Sequence, residues 1–174
     1  MALALKIKNK KYALPKKSKL GKEQSLFDNY VYVLCGDGDL MEGVSYEATS
    51  LAGSLNLNNL IVLYDSNDVT LDGSTNNVFT ENVLDRFKAL NWNTISLKDG
   101  NSISGIDKAI IEAKKSDKPT IIEIKTIIGS DSIHEGTNKV HGTPLDKDDI
   151  SKLKIKLNID NHEFYVNEKA KENF

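Results

Sequence analysis

The residues best suited to chemistry in this chain stand in the stretch VLCGDGDLMEG, residues 33–43. This stretch places three acids, Asp37, Asp39 and Glu42, among three glycines directly after the apolar run YVYVL. Three carboxylates so close together repel one another unless a positive charge lies between them. The glycines let a ligand approach the backbone and its N–H groups. The stretch therefore predicts a ligand site that includes a cation.

Three common motifs do not fit this stretch. The dinucleotide fingerprint G-x-G-x-x-G fails at Met41, where its third glycine belongs, and the calcium loop fails at the same residue. The phosphate loop fails because Val44 replaces its lysine. The remaining pattern is a divalent cation held jointly by the protein and a diphosphate. In that pattern Asp37 binds the metal, and Gly36 and Gly38 let the phosphates approach the backbone.

A second polar residue, Asn67, supplies the further oxygen that such a site needs. Magnesium prefers six oxygens in an octahedral array, so one aspartate is not enough. Asn67 follows the apolar run LIVLYD, residues 60–65, and its amide oxygen adds no negative charge beside a diphosphate. The spacing predicts that Asp37 and Asn67 bind one Mg²⁺ ion. The structural alternatives are a helix-capping role for Asp37 and a turn for Asn67.

Short apolar runs rich in β-branched residues predict the strands that position these side chains. They span residues 30–34, 60–65, 92–97 and 120–126. Apolar residues at spacings of three and four predict helices over 44–55, 81–90 and 104–116, and a last helix over 146–157. Strands that alternate with helices predict an α/β fold, a doubly wound and mainly parallel sheet with helices on both faces.

The helix predicted over 44–55 carries one apolar stripe. Its members are Val44, Ala48, Leu51, Ala52 and Leu55. The segment TSLAGSL, residues 49–55, also brings small residues to one side of this helix. Such a side can pack on the helix's own sheet or against another protein surface, and the sequence leaves both open.

Composition limits the class of protein. A chain of 174 residues with 39% apolar residues can bury one core, so we expect a single domain over 1–174. Cys35 is the one cysteine, which excludes a disulfide framework and favours a cytoplasmic protein. No apolar stretch approaches the ~20 residues of a membrane span. The net charge of −2 argues against nucleic-acid partners.

Two segments differ from the rest. Residues 1–27 are rich in lysine and predict a helix end followed by a solvated loop. Eight lysines lie there: Lys6, Lys8, Lys10, Lys11, Lys16, Lys17, Lys19 and Lys22.

Residues 127–145 form a long predicted loop that holds His134 and His141. Long ordered loops in compact domains are often functional, so we expect this loop to serve the site.

A GDG stretch followed by an asparagine beyond the next strand resembles thiamine-diphosphate enzymes. The segment GDGDLMEGVSYEATSLAGSLNLNNLIVLYDSN, residues 36–67, resembles transketolase in particular, as does VHGTPL at 140–145. The resemblance extends from about Asp28 to residue 174 and, less closely, back to MALAL, residues 1–5. It implies the thiamine-diphosphate-binding fold, and a diphosphate-binding domain that is truncated at its N-terminus.

The resemblance also implies which residues hold the cofactor and its metal. Asp37 and Asn67 would be the side-chain ligands of Mg²⁺, with the backbone carbonyl of Val69 as a third ligand. Ca²⁺ or Mn²⁺ would substitute for Mg²⁺. Gly36 and Gly38 would lie against the diphosphate. The family often has two acids before the asparagine, where this chain has Asp65 and Ser66.

Other roles implied by the resemblance concern the cofactor rings, the substrate and the dimer. Ile128 would pack near the cofactor rings, and His141 would reach from the diphosphate toward the substrate. Glu42 and Glu47 match two catalytic-site glutamates that form a carboxylate network across the dimer interface.

The activity implied is transfer of a two-carbon ketol unit from a ketose phosphate to an aldose phosphate, in the pentose phosphate pathway. A pyrimidine-binding domain or subunit would be the necessary partner, in a homo-oligomeric full enzyme, and we expect little activity from this chain alone. Two alternatives remain open. One is a fragment similar to 1-deoxyxylulose-5-phosphate synthase, and the other is a noncatalytic or regulatory module that binds metal and diphosphate.

Overall fold

The computed structural model describes residues 1–12 and 27–173, and their contacts divide into two units. The first unit comprises Met1–Asp68 and Thr75–Thr126, and the second comprises Val69–Ser74 and Ile127–Phe174. We describe each unit by itself. The single domain expected from the sequence stays a prediction.

The described helices and strands alternate through most of the chain. In chain order they are α1 (Ala2–Lys11), β1 (Val31–Gly36), α2 (Asp37–Met41), α3 (Gly43–Ser54), β2 (Leu60–Ser66), β3 (Val69–Thr70), β4 (Gly73–Ser74), α4 (Val83–Ala89), β5 (Asn93–Leu97), α5 (Ile103–Ala113), β6 (Thr120–Lys125), α6 (Lys147–Lys156) and α7 (Glu168–Glu172). Short 3₁₀ helices span Thr75–Asn77 and Asn138–Val140. None of these helices is long and apolar enough to cross a membrane.

The first unit is built on a parallel sheet of four strands in the order β1-β2-β6-β5. All three pairings are parallel, and Gly36 at the end of β1 is in register with Asp65 of β2. The four strands predicted from apolar runs are therefore confirmed, each within one or two residues. The carboxyl ends of β1, β2 and β6 meet at one edge of this sheet, directly before Asp37, Asn67 and Thr126.

Both faces of the sheet are covered, which confirms the predicted α/β layers. On one face Val62 and Ile121 pack with Phe87 and Trp92, whose rings meet edge to face with centroids 5.0 Å apart. On the other face Ile61, Ile122 and Ile124 pack against Ala109 and Ala113 of α5. Successive residues of β2 thus enter opposite clusters, as the alternation of side chains along a strand requires.

Helix α3 packs through its small residues and exposes its large ones. Ala52 and Gly53 are buried, whereas Val44, Leu51 and Leu55 are exposed. A Cβ added at Gly53 would lie 1.8 Å from the carbonyl oxygen of Leu90, so only glycine allows this close approach. The stripe predicted from spacing is therefore mostly exposed. Among its members only Ala52 is buried, and Ala48 is exposed together with the three large residues.

Two short elements are not predicted by the sequence patterns. Residues Asp37–Met41 form the short helix α2. In the second unit, β3 and β4 pair as an antiparallel hairpin. Both elements are too short for hydrophobic periodicity to detect.

The second unit also contains α6, α7 and most of the predicted loop over 127–145. Asp146 caps α6, because its side chain accepts a hydrogen bond from the backbone N–H of Asp149. The loop turns where Gly129 adopts a φ of +60°, and a Cβ there would lie 2.7 Å from Val140 Cγ2. The helix predicted over 146–157 is thus confirmed, and the loop before it contains a single 3₁₀ turn in the described chain.

The lysine-rich segment is described only in part. Lys8, Lys10 and Lys11 are exposed on α1, as expected for a solvated helix end. Lys6 is instead partly buried, and its Nζ donates to the carbonyl oxygens of Leu55 and Asn56 at the end of α3. Lys16, Lys17, Lys19 and Lys22 lie outside the described residues.

Candidate cofactor and metal site

Asp37 is buried at the point where β1 passes into α2, with only 4% of its surface exposed. The hydroxyl of Tyr64 donates a hydrogen bond to Asp37 Oδ1. Asp37 Oδ2 is buried and has no hydrogen-bond partner among the described residues. Buried carboxylate oxygens are costly unless something pairs with them. The side chain thus has one oxygen held by the protein and one directed to no group of the described chain.

The sequence-predicted partner of Asp37 lies beside it. The backbone of Asn67 lies close enough to the Asp37 carboxylate to lower its pKa, so the paired strands β1 and β2 bring the two residues together. The side-chain amide nitrogen of Asn67 lies 3.4 Å from Asp65 Oδ2. Asp65 also accepts a hydrogen bond from the hydroxyl of Thr126 at the end of β6. These contacts join three strand ends at one edge of the sheet.

Burial raises the pKa of Asp37 above its ordinary value of 3.8. Hydrogen bonds from Tyr64 and from the Asn67 backbone oppose this rise, and so does the positive charge of Lys125, while the negative charge of Asp68 adds to it. The folded protein therefore stabilises the charged form of Asp37 less than water does.

We expect Asp37→Asn to stabilise the metal-free protein by about 1 kcal/mol or more, because it removes a buried negative charge. The raised pKa gives the sign of the pH dependence. The cost of the Asp37 charge is fully present above the folded-state pKa and disappears as the pH falls toward 3.8. The difference in thermal midpoint between the variant and the native protein should shrink over that window. A difference in thermal midpoint that does not change with pH would show that the Asp37 charge is not its source.

The short helix α2 is held at both ends by side chains. At its start, Asp39 Oδ2 accepts a hydrogen bond of 2.8 Å from the backbone N–H of Gly36. At its end, the guanidinium of Arg86 donates to the carbonyl oxygen of Leu40 at 3.2 and 3.3 Å. Arg86 also pairs with Glu81 at 3.0 Å. The Asp39 side chain is exposed, and its carboxylate caps α2.

Open space adjoins the glycines of the motif. A Cβ added at Gly36 or Gly38 would meet no atom of the described residues within 4 Å, so open space lies beside both glycines. A cavity of about 450 Å³ also borders Asp37 and Tyr64. This volume lies within the ~300–1,000 Å³ range of small-molecule sites.

A lysine-centred network lines the same cavity. Lys125 Nζ donates to Ser66 Oγ at 2.8 Å and to Asp68 Oδ1 at 3.3 Å, and it lies 3.7 Å from Glu123 Oε1. The hydroxyl of Ser66 lies 3.4 Å from Glu123 Oε1. Ser66 thus lies between Lys125 and Glu123 in this network.

Glu42 and Glu47 are both exposed in the first unit. Glu42 lies between α2 and α3, and its backbone oxygen accepts the first hydrogen bond of α3, from Ser45 at 3.0 Å. Glu47 lies on the outer face of α3 near Val44 and Leu51. Within the described ranges, no three histidine, cysteine, aspartate or glutamate side chains converge as a metal site.

The other predicted site residues belong to the second unit. Val69 begins β3 and is buried, and Ile128 is half-buried. His141 follows the 3₁₀ helix Asn138–Val140, and its Nδ1 is buried without a hydrogen-bond partner among the described residues. His134 is exposed in the same loop. The roles implied for Val69, Ile128 and His141 stay predictions.

Comparison with known proteins identifies the family. The family model described as transketolase, thiamine diphosphate binding domain, matches residues 1–174. This chain belongs to that family. Its members are thiamine-diphosphate-binding domains, which confirms the resemblance that the GDG stretch and Asn67 indicated.

Curated relatives and solved structures carry the same name. The transketolase of Staphylococcus aureus strain MRSA252 is 55% identical over 126 residues, covering 72% of this chain and 19% of the relative. The probable transketolase of Streptococcus pneumoniae serotype 4 is 48% identical over 151 residues, covering 86% and 23%. The transketolase structure from Leishmania mexicana has a TM-score of 0.91 and 40% identity, covering 98% of this chain and 25% of that one.

A transketolase from Pichia stipitis, in complex with sedoheptulose 7-phosphate, has a TM-score of 0.89 and 41% identity, covering 99% of this chain and 25% of that one. This chain therefore spans about a quarter of the length of the relatives it matches. The comparisons support the transketolase interpretation and not the synthase alternative.

The sequence patterns did not identify Tyr64 as a residue of the site, although its hydroxyl contacts Asp37 in this transketolase-family chain. Tyr64 is 3% exposed and lies within β2, where the apolar run alone marked it as a core residue. Burial and the hydrogen bond to Asp37 both raise the pKa of the Tyr64 hydroxyl, which therefore remains a donor. A tyrosine among aliphatic residues, three places before the candidate ligand Asn67, was the signal available, because a buried hydroxyl needs a partner.

Cys35 precedes the motif and is a buried, free thiol. Burial raises its pKa to about 12, and the negative charges of Asp39, Asp37 and Asp65 add to the rise. Since the thiolate is the reactive form, we expect iodoacetamide to label native protein at pH 8 at least ~100-fold more slowly than urea-unfolded protein. Mass spectrometry over time checks this. Similar rates in both states would contradict the buried, neutral thiol.

Proposed function

We propose that this chain binds thiamine diphosphate through a divalent cation held by Asp37 and Asn67. We further propose that it forms part of a transketolase, which moves a two-carbon ketol unit from a ketose phosphate to an aldose phosphate. The observation that carries the first proposal is the buried Asp37 Oδ2, which has no partner among the described residues. A cation would supply that partner.

The side-chain oxygens of Asp37 and Asn67 suit a divalent cation that is also bound by a diphosphate. A carboxylate oxygen from Asp37 and an amide oxygen from Asn67 are ligands that Mg²⁺ accepts, and the diphosphate would contribute more oxygens. The open space beside Gly36 and Gly38 supports a diphosphate there, because its oxygens need access to backbone N–H groups. We propose Mg²⁺ as the physiological ion, with Ca²⁺ and Mn²⁺ as substitutes that share its preference for oxygen.

Thiamine diphosphate, when bound, supplies the nucleophilic carbon and the electron sink that ketol transfer requires. The chain's own residues bind and orient it. Asp37 and Asn67 hold the metal, and the Val69 carbonyl is the proposed third ligand. Ile128 is proposed to pack on the cofactor. His141 is proposed to orient the substrate, and its buried, unpartnered Nδ1 supports a role in binding a polar group.

Sugar phosphates are the proposed substrates, as in the Pichia stipitis structure that contains sedoheptulose 7-phosphate. We propose that the full enzyme acts in the pentose phosphate pathway in the cytoplasm. Because relatives extend to about four times this length, a further pyrimidine-binding domain is proposed as a necessary partner.

Calorimetric titration with thiamine diphosphate tests the cofactor proposal. We expect weak binding with Mg²⁺, Mn²⁺ or Ca²⁺ present and no measurable binding with a chelator. Thiamine monophosphate is the matched control, because it keeps the rings and lacks the second phosphate. Equal affinity for thiamine diphosphate and thiamine monophosphate would contradict the proposed site. Binding that does not depend on the metal would also contradict it.

A second experiment tests the enzyme proposal against the regulatory alternative. The chain is mixed with the pyrimidine-binding domain, produced separately, of a closely related transketolase. Ketol transfer from xylulose 5-phosphate to ribose 5-phosphate is then measured. Activity that requires both components supports the enzyme. Tight association without turnover would favour a noncatalytic module.

The exposed face of α3 supports a homodimer. Val44 and Leu51 are 68% and 55% exposed, and Glu47 lies between them on the same face. An apolar stripe that the helix does not bury on its own sheet is typical of an interaction surface. Two copies would bury these residues together and bring their Glu47 carboxylates close, as the family resemblance implies.

We expect Leu51→Asp to abolish self-association at micromolar concentration, because a carboxylate in an apolar interface is costly to bury. Sedimentation velocity provides the measurement. Ile111→Asp is the matched control, since Ile111 is 47% exposed on α5 and should leave association unchanged. The same sedimentation coefficient for both variants would contradict the α3 interface.

A further inference from the structure

The two oxygens of Asp37 have different surroundings. Oδ1 accepts the hydrogen bond from the Tyr64 hydroxyl, and Oδ2 is buried without a partner among the described residues. A carboxylate can rotate and exchange its oxygens unless a directional contact holds one of them. The contact with Tyr64 is such a constraint. It leaves Oδ2 as the oxygen that a cation would meet.

We propose that Tyr64 is a positioning residue for the metal, because its hydroxyl holds Asp37 Oδ1 and leaves Oδ2 directed to the cation. This inference rests on the proposed function and assigns a role to a side chain that would not touch the metal. Groups of this kind orient the ligands of a site and typically contribute 10–100-fold to metal affinity.

The tyrosine is well placed for this role because it is rigid. Its side chain is buried within β2, between the strands β1 and β6, and it packs in the same cluster as Val62, Phe87 and Ile121. A donor on a central strand is held more firmly than one on a loop. The short helix α2, which carries Asp37, is itself fixed at its ends by Asp39 and Arg86.

Contacts next to Tyr64 help to fix the strand that carries it. Lys125 Nζ of β6 donates to Ser66 Oγ of β2 at 2.8 Å, two residues after Tyr64. The Tyr64 hydroxyl has one proton, and that proton is donated to Asp37 Oδ1.

The test compares two tyrosine variants that each lose one hydroxyl. Tyr64→Phe removes the donor to Asp37. Tyr30→Phe is the control, because the Tyr30 hydroxyl donates to the Lys114 carbonyl at 3.1 Å and Tyr30 lies just before β1, at its opposite end. Mn²⁺ affinity is measured by electron paramagnetic resonance with saturating thiamine diphosphate. We expect Tyr64→Phe to weaken Mn²⁺ binding about 10-fold and Tyr30→Phe to leave it unchanged.

A double-mutant cycle separates positioning from general structural damage. Asp37→Asn keeps an amide oxygen, so its residual Mn²⁺ binding can be measured at millimolar metal. If Tyr64 acts through the Asp37 carboxylate, adding Tyr64→Phe to Asp37→Asn should cause no further loss of affinity. A full additional 10-fold loss in that background would overturn the positioning role.

The outcomes also separate this inference from the proposed function. Native-like Mn²⁺ affinity in Asp37→Asn would overturn the metal site itself. Weak binding in Asp37→Asn with native affinity in Tyr64→Phe would overturn only the role of Tyr64. Should Tyr64→Phe fail to fold, 4-aminophenylalanine at position 64 provides a second variant that retains a donor. Affinity within about threefold of native in that protein supports the role, and a loss of 10-fold or more overturns it.

Discussion

Replacement of Asp37 with alanine is expected to reduce metal-dependent binding of thiamine diphosphate by more than about 100-fold. A contact to a metal ligand is typically worth 10–100-fold in affinity, so loss of the only carboxylate ligand in the proposed set should cost more. The remaining donors, an amide and a backbone carbonyl, are neutral and attract a divalent cation less strongly. Calorimetry with Mg²⁺ and thiamine diphosphate measures the effect.

The matched control for this prediction is Asp85→Ala. Asp85 lies in α4, its side chain is largely exposed, and it pairs with Lys88 at the surface. Its removal takes away one negative charge without touching the proposed site, so binding should match the native protein. If Asp37→Ala retained affinity within threefold of this control, the metal site would be wrong. Circular dichroism of both variants establishes that they are folded.

Gly53→Ala is expected to destabilise the protein by about 3 kcal/mol or more, because the new methyl group meets backbone and not a flexible side chain. The added Cβ would lie 1.8 Å from the Leu90 carbonyl oxygen and 3.2 Å from Trp92 Cδ1. Helix α3 would have to move away from this part of the chain. Helix propensity predicts the opposite sign, since alanine is favoured over glycine by about 1 kcal/mol within a helix.

Urea unfolding of Gly53→Ala, compared with Ser50→Ala, measures this effect. Ser50 lies on the exposed side of the same helix, so its replacement should be neutral or slightly stabilising. A gain of stability in Gly53→Ala would mean that propensity outweighs the close approach. It would also contradict the packing of α3 described above.

Much of the fold followed from patterns that local physical chemistry imposes. Four apolar runs became four parallel strands, because strands covered on both faces need apolar side chains at successive positions. Asp37 and Asn67 lie together because each follows the end of one of two paired strands. The family resemblance pointed to the same two residues, and the match over residues 1–174 confirmed that family.

Periodicity did not predict which side of α3 is buried. The spacing placed Val44, Leu51 and Ala52 on one stripe, yet the core accepts Ala52 and leaves Val44 and Leu51 exposed. A helix buries the side that fits the space available, and at Gly53 that space is limited by the Leu90 carbonyl. Such distances depend on residues 37 positions apart in the chain, which no local pattern reports.

By itself, the sequence determined the order of strands and helices, the presence of an acid and an asparagine at neighbouring strand ends, and the family. Only the tertiary structure decided that Asp37 has one oxygen engaged by Tyr64 and one without a partner among the described residues, and that Asp39 caps α2. The physical reason is the range of the interactions. Hydrophobic periodicity and strand order are encoded in neighbouring residues, whereas hydrogen-bond partners depend on atoms that folding brings together.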